Sequence, residues 1–304
     1  MHASAPDADF EVSVVIPTFN RAEKLVKALH SVLTQSVLPA QIIVVDDAST
    51  DGTSQMDFAT MSSRIRYVRS EANLGGAVSR NIGVQHAVGN WIAFLDSDDI
   101  WLPDKLKRQR DVVRRRASSD FFICSNVISR KMDGSESLYN KRAPHHGEDL
   151  SEYFLIEGNS FQTSSLVVPA DAFRTVRFNE TLRRHQDWDL VLNLVHAGFD
   201  YEYCDEPLAV YCDDLDVTRI SRQRDPAPTL HWFNVSGGNV SSAGAAYLYS
   251  YLYFPRHLRS RTAEALQVIV KLASRDLRSL QSTSHALSRR LREEVGRFVA
   301  RGRI

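Results

Sequence analysis

Val12–Arg21 reads VSVVIPTFNR. Val12, Val14, Val15 and Ile16 make an apolar, β-branched run, and it stops at Pro17, which cannot donate to a central sheet ladder. The reading is a strand that runs into a polar loop. From Arg21 to Gln35, Leu25, Ala28/Leu29 and Val32/Leu33 recur at the spacing of one helix face. Strand, loop and helix thus form a unit, and the unit repeats. IIVVD (Ile42–Asp46) precedes the polar loop DASTDGTS, IRYV (Ile65–Val68) precedes NLGG and a helix starting near Ala77, and WIAFLD (Trp91–Asp96) precedes a second acidic loop. Continuous apolar runs are the mark of strands buried on both faces, and their alternation with helices implies right-handed crossovers and parallel pairing. The first ~115 residues are expected to form a doubly wound α/β unit.

Downstream, Pro103 can occupy the first turn of a helix that runs through KLKRQRDVVRRR to Arg116, with its basic residues as a solvated face. FFICSNVIS (Phe121–Ser129) reads as a strand, Met132–Ser135 as a hairpin turn, and TSSLVV (Thr163–Val168) as a strand followed by a helix near Ala170–Arg174. Asp187–His196 carries Leu190, Val191, Leu194 and Val195 on one side and reads as a helix; YEYC and LAVYC read as two short strands. The polar stretch Asp213–Thr229 marks a boundary. The expected divisions are 1–115, an α/β half; 116–215, the second half of the same domain; and 216–304, a helical, basic extension.

The chain has 304 residues, 43% of them hydrophobic, enough for a large core without staples. Cys124, Cys204 and Cys212 show no CxxC or Cys/His ligand spacing, which points to a reducing compartment and away from a disulfide framework or structural zinc. Lys+Arg and Asp+Glu both number 37, so the mean charge offers nothing to nucleic acid, and none is expected as a partner. The distribution is uneven: residues 256–304 carry 12 Lys/Arg against 4 Asp/Glu, a net +8 set against −8 in the rest. MHASAPDADF has two aspartates and no apolar core, unlike a secretory signal, and the weakly polar stretch 243–254 is well short of the ~20 residues that span a bilayer. The expected location is cytoplasmic.

Three polar loops fall at the carboxyl ends of the expected strands, where open parallel sheets bind ligands. They are Pro17-Thr18-Phe19-Asn20-Arg21, Asp46-Asp47-Ala48-Ser49-Thr50-Asp51 and Asp96-Ser97-Asp98-Asp99. Three carboxylates within four residues repel one another unless a cation lies among them. A hard divalent ion with oxygen ligands would answer that, as would a cluster at a helix N-terminus.

The series as a whole resembles the family 2 glycosyltransferases, inverting enzymes of the GT-A fold. The resemblance is carried by SVVIPTFNR (Ser13–Arg21), VVDDASTDGT (Val44–Thr53), NLGGAVSRNIGVQHAVGNWIAFLDSDDIWLPDKL (Asn73–Leu106) and FNETLRRHQDWDL (Phe178–Leu190), over roughly residues 12 to 212. It implies a GT-A type, mostly parallel sheet and a set of donor-binding residues: Pro17, Thr18, Asn20, Asp47, Gly75, Arg80, Asp96 and Ser97. Pro17, Thr18 and Asp47 would contact uracil, with Asp47 accepting from its N3–H, although an aspartate there can also cap its own loop. Gly75 and Gly76 would let backbone approach the donor. Arg80 would meet the diphosphate or tie down the acidic loop. Asp96 would contact the ribose and Asp98 would ligate Mg²⁺ or Mn²⁺, while Asp99 caps the next turn.

By the same resemblance Asp187 is the base, the aspartate of a Glu-Asp pair that opens a helix; here the pair is Gln186-Asp187. Asp189 would be structural or acceptor-facing, and Trp188 would stack on a sugar or pack in the core. The implied reaction is single displacement from a nucleotide-diphosphate donor, UDP-linked, to a saccharide or lipid-linked saccharide hydroxyl in bacterial polysaccharide or glycolipid synthesis. A nucleotidyltransferase would share the sheet and the acidic loop but would want a Gly-rich loop after the first strand, and PTFNR has no glycine. A dinucleotide-binding oxidoreductase would need GxGxxG there. A non-catalytic nucleotide-sugar-binding module is the third alternative. In the tail, Leu266, Ile269/Val270, Ala273, Leu277 and Leu280, then Leu287, Leu291, Val295 and Phe298, outline two amphipathic helices. These either pack on the body or, through Arg290, Arg297 and Arg301, lie on the anionic inner face of the plasma membrane.

Overall fold

The computed structural model describes residues 9–116, 118–213 and 227–248. Residues 9–143 with 161–213 make one compact unit, and residues 144–160 with 227–248 make another. The proposed tail helices and the boundary stretch 214–226 lie outside the described residues.

In chain order the larger unit runs β1 (Val12–Thr18), α1 (Ala22–Leu33), β2 (Gln41–Asp46), α2 (Phe58–Met61), β3 (Ile65–Arg69), α3 (Gly76–Gln85), β4 (Trp91–Phe94), β5 (Ile100–Trp101), α4 (Lys105–Arg115), β6 (Phe121–Lys131) and β7 (Glu136–Leu138). α5 (Leu150–Leu155) belongs to the smaller unit, after which come β8 (Val167–Pro169), α6 (Gln186–His196) and β9 (Asp200–Asp213). α7 (Ala227–Ser236) is again in the smaller unit. The sheet order is β3-β2-β1-β4-β8-β6-β9-β5, with β7 beside β6. β1, β2, β3, β4, β6 and β9 run one way and β5, β7 and β8 the other. The sheet is mixed and mostly parallel, as the resemblance leads one to expect. The chain builds outward from β1 to β3 and then crosses to β4 on the other side of β1, so the switch point lies between the loops that end β1 and β4.

Every residue of β1 is buried, Ser13 and Thr18 included, as befits a central strand. Pro17 is tolerated because β4 leaves β1 at the Val15–Phe94 pair, so Pro17 faces only Val45 of β2. α3 lies so close to β1 that a Cβ on Gly83 would stand 2.3 Å from Val15 Cγ1. Gly83→Ala is therefore expected to lower unfolding stability by roughly 1–3 kcal/mol through overpacking. Chemical denaturation checks this, and a midpoint equal to the wild type's would contradict the close packing.

Several sequence expectations change. YEYC and LAVYC form one strand, β9, which follows β6 past register shifts at Ser125–Val127 that absorb Asp205, Glu206 and Leu208. Thr163–Ser165 and Ala170–Arg174 are 3-10 turns on either side of a short β8. Pro103 lies before α4, which Asp104 precedes. Lys105 is not on the solvated face: it is fully buried, its Nζ donates to Gln109 Oε1 at 2.6 Å and lies 4.4 Å from the Trp101 ring, and burial lowers its pKa to about 7. Cys124 is buried, Cys204 and Cys212 are half-buried, and none of the three forms a disulfide. No helix among the described residues is long and apolar enough to cross a membrane.

In the smaller unit α5 is capped by Asp149, which accepts from Ser151 N at 2.8 Å and Glu152 N at 3.1 Å. Ser241 there donates through its backbone N–H to Ser151 Oγ and through its hydroxyl to Glu152 Oε1, each at 2.9 Å.

Candidate active site

The loops after β1 and β2 are laced together. Asn20, in the left-handed region at φ 52°, donates its N–H to Ser49 Oγ at 2.9 Å and accepts from Thr50 N through Oδ1 at 2.7 Å. Ala22 N donates to Asp51 Oδ2 at 2.9 Å. Asp46 anchors the loop below them. It accepts from Ser49 N at 2.8 Å and the Tyr67 hydroxyl at 2.5 Å, and it pairs with Arg69. Burial alone would raise its pKa, but these hydrogen bonds and the Arg69 charge outweigh burial and hold it below the usual carboxylate range.

Asp47 faces the opposite way. Its N–H donates to Thr18 O at 2.9 Å, and its carboxylate accepts from Leu74 N at 2.7 Å and Gly75 N at 2.8 Å. The aspartate therefore folds the NLGG loop over the β1–β2 edge, and each oxygen retains a lone pair for a ligand. Gly75 sits at φ 92°, a conformation that favours glycine. The Thr18 hydroxyl is buried and has no hydrogen-bond partner among the described residues. Such a group beside Asp47 suits a polar ligand.

Asp96, Asp98 and Asp99 follow β4, and carboxylate oxygens from the three lie within 4.8 Å of one another. Their surroundings separate them. Asp99 is held from far along the chain. Its Oδ2 accepts from Ser164 Oγ at 2.6 Å and its Oδ1 from Cys212 N at 3.1 Å, so it joins the acidic loop to the approach to β8 and to the end of β9. Asp98, with its side chain only 3% exposed, meets Arg21 Nη1 at 2.9 Å. Asp96 Oδ1 accepts from Arg80 Nη2 at 2.5 Å, and its N–H donates to Ser164 Oγ at 3.1 Å. Ser97 is buried between them. An all-oxygen donor set of this density fits a hard divalent cation. Asp98 and Asp96 could hold such an ion, whereas both oxygens of Asp99 accept hydrogen bonds from distant parts of the chain.

The third element is the N-terminus of α6. His185 precedes it in the left-handed region at φ 62°, stacked on Trp188 with ring centroids 4.4 Å apart. Burial lowers the His185 pKa to about 3 and keeps the ring neutral. Gln186 Oε1 accepts from Arg80 Nη1 at 2.7 Å. Asp187 accepts from Trp188 N at 3.0 Å and is only partly exposed. Burial pushes its carboxyl up to about 6, against the hydrogen bond and the Arg80 charge, which pull it down. Asp189 is buried and accepts from Asn193 Nδ2 at 3.1 Å, a structural place.

Arg80 therefore reaches the acidic loop with one nitrogen and the turn carrying Asp187 with another, while its guanidinium lies 5.4 Å from the Phe178 ring. Three groups at the site escape sequence reasoning. Arg21 reads as the end of a polar loop where a helix begins, Ser164 reads as a strand residue, and Tyr139 belongs to no motif. Yet Ser164 bonds both ends of the acidic loop, and Tyr139 feels the Asp187 charge while burial pushes its phenol to about 12. No local spacing signals these contacts.

Residues 13–179 match the family described as "Glycosyl transferase family 2". The chain is 32% identical over 211 residues to the "Amylovoran biosynthesis glycosyltransferase AmsB" of Erwinia amylovora, covering 67% of this chain and 70% of that one. It is 38% identical over 139 residues to the Escherichia coli "UDP-Glc:alpha-D-GlcNAc-diphosphoundecaprenol beta-1,3-glucosyltransferase WfgD", covering 44% of this chain and 55% of the relative. Among solved structures, S. aureus TarS 1-349 in complex with UDP-GlcNAc superposes with a TM-score of 0.60 at 17% identity, over 91% of this chain and 79% of that one.

Proposed function

Because the chain belongs to glycosyltransferase family 2, we propose that it transfers one sugar from a UDP-linked donor to a hydroxyl of a saccharide or lipid-linked saccharide, with inversion, in bacterial polysaccharide or glycolipid synthesis. The observation that carries this reading is the Arg80 bridge, which brings the acidic loop after β4 and the Asp187 turn to one place in a single compact unit. TarS is seen with UDP-GlcNAc and WfgD is named for a UDP-glucose donor and a diphosphoundecaprenol acceptor, which supports the same donor and acceptor classes here.

In this reading Pro17, Thr18 and Asn20 with Asp47 form the nucleobase side, and the orphan Thr18 hydroxyl finds its partner on the donor. Gly75 lets backbone approach, Asp96 and Ser97 face the ribose, and Arg80 stands beside the diphosphate. Asp98 would hold Mg²⁺ or Mn²⁺, which when bound neutralises diphosphate charge. Asp187 takes the acceptor proton as the hydroxyl attacks the anomeric carbon and the bond to the diphosphate breaks on the opposite face. A carboxyl held near 6 is ionised at neutral pH yet is a stronger base than a solvated aspartate.

The test is thermal unfolding with Mn²⁺ and a panel of UDP, UDP-glucose, UDP-GlcNAc, GDP-mannose and dTDP-glucose. A ligand selective for the native state stabilises by about 2.7 kcal/mol at a hundredfold excess over Kd. UDP and at least one UDP-sugar are expected to raise Tm above the guanine and thymine nucleotides. Equal shifts from all of them, or none, would overturn the donor assignment.

A further inference from the structure

Gln186 is held at both ends of its amide. Oε1 accepts from Arg80, and Nε2 donates to the Leu182 carbonyl, one turn back, each at 2.7 Å. The orientation of the amide follows, because reversing it would set the NH₂ against a guanidinium and the oxygen against a carbonyl. The glutamate expected here from the resemblance could accept from Arg80 but has nothing to donate to Leu182, and its second oxygen would face that carbonyl. Gly76 belongs to the same arrangement, since a Cβ there would stand 3.1 Å from Arg80 Nη1 and 3.5 Å from Gln186 Oε1. The segment that Gln186 closes, Leu182 to Gln186, contains the left-handed His185 and delivers Asp187 to the site.

We infer that Gln186 is a positioning residue for the transfer reaction: through Arg80 and the Leu182 carbonyl it ties the turn bearing Asp187 to the acidic loop and fixes Asp187 against the acceptor hydroxyl. This rests on Asp187 being the base. It also explains why an amide stands in the position. The charged and titratable groups that act on Asp187 are Arg80 from α3, which favours its carboxylate, Asp96 from the loop after β4, which disfavours it, and the Tyr139 phenol after β7. A neutral residue at 186 leaves the Arg80 charge to the two aspartates. A third carboxylate there would compete for the same cation and stand next to Asp187 in the chain, and both effects raise the proton affinity of the base.

The experiment uses the full chain and its Gln186→Glu, Gln186→Met and Asp187→Asn variants. The Asp187 carboxyl is titrated by ¹³C NMR of aspartate-labelled protein, its signal assigned by its loss in Asp187→Asn. Mn²⁺-dependent release of UDP from UDP-glucose supplies kcat and KM. Gln186→Glu is expected to move the Asp187 titration upward by about one unit. Gln186→Met, which loses both bonds without adding charge, is expected to lower kcat by roughly tenfold or more with KM within about threefold of wild type. An unmoved titration with unmoved kcat overturns the inference, as does a rise in KM that accounts for the whole loss. If Gln186→Glu fails to fold, the kcat-against-KM split in Gln186→Met decides alone. Wild-type turnover by Asp187→Asn would instead sink the base assignment itself. An inactive Asp187→Asn beside unaffected Gln186 variants sinks only the role of Gln186.

Discussion

Asp187→Asn is expected to lower kcat by roughly 10²- to 10⁴-fold, the range in which a positioned general base contributes, while Kd for UDP in the presence of Mn²⁺ stays within about threefold of wild type. Asparagine keeps an oxygen for Trp188 N, so the turn into α6 survives, but it cannot take a proton. The same assignment fixes a pH profile. Burial raises the Asp187 pKa to about 6, so kcat/KM of the wild type should fall below about pH 6, close to tenfold per unit as the base becomes protonated. Stability moves the other way. A carboxyl whose folded pKa is raised stabilises the fold fully below its unfolded value and loses that contribution as pH rises through its folded value. At pH 7 the ionised Asp187 is then a cost, and Asp187→Asn should be as stable as the wild type or more stable by about 1–2 kcal/mol, allowing for the solvent that still reaches the residue. Loss of UDP binding in the variant would move Asp187 to the donor site, and a flat pH profile would remove it from the chemistry.

The strands that carry the polar loops of the candidate site are legible because they are central: β1, β2 and β4 have no solvent-facing side, so apolar runs stand out and end where the polar loops begin. β5, with two residues, has no such run, and β9 reads as two strands because Asp205 and Glu206 interrupt the apolar pattern at a register shift rather than at a turn. Lys105 looks solvated from charge alone, yet it lies on the core side of α4 with Leu106, Gln109 and Val112. At the candidate site, residue types in motifs were visible, but their division of labour was not. The stretch DSDD cannot show that Asp99 belongs to Ser164 and Cys212, 65 and 113 residues away, or that Arg21 belongs to Asp98. Each contact joins segments far apart in the chain and has no period to read.

That division of labour separates two neighbouring aspartates by experiment. Asp98→Asn is expected to remove the Mn²⁺-dependent part of UDP binding and to lower kcat/KM by roughly 10²-fold or more, since a bound cation supplies several kcal/mol of charge stabilisation, with little change in Tm. An asparagine oxygen still accepts from Arg21, whose side chain is 27% exposed and so can also turn to water. Asp99→Asn is expected to cost about 1–3 kcal/mol of unfolding stability, because it places an NH₂ where one of two hydrogen-bond donors, Ser164 Oγ and Cys212 N, now meets a carboxylate oxygen inside the protein. Its binding of UDP and Mn²⁺, measured at a temperature where it remains folded, should stay close to wild type. Excess chelator should bring the wild type down to the level of Asp98→Asn and leave Asp98→Asn unchanged. Full wild-type turnover in chelator would end the metal assignment. Loss of metal-dependent binding in Asp99→Asn with Asp98→Asn unaffected would reverse the roles of the two residues and make the Arg21 pair the structural one.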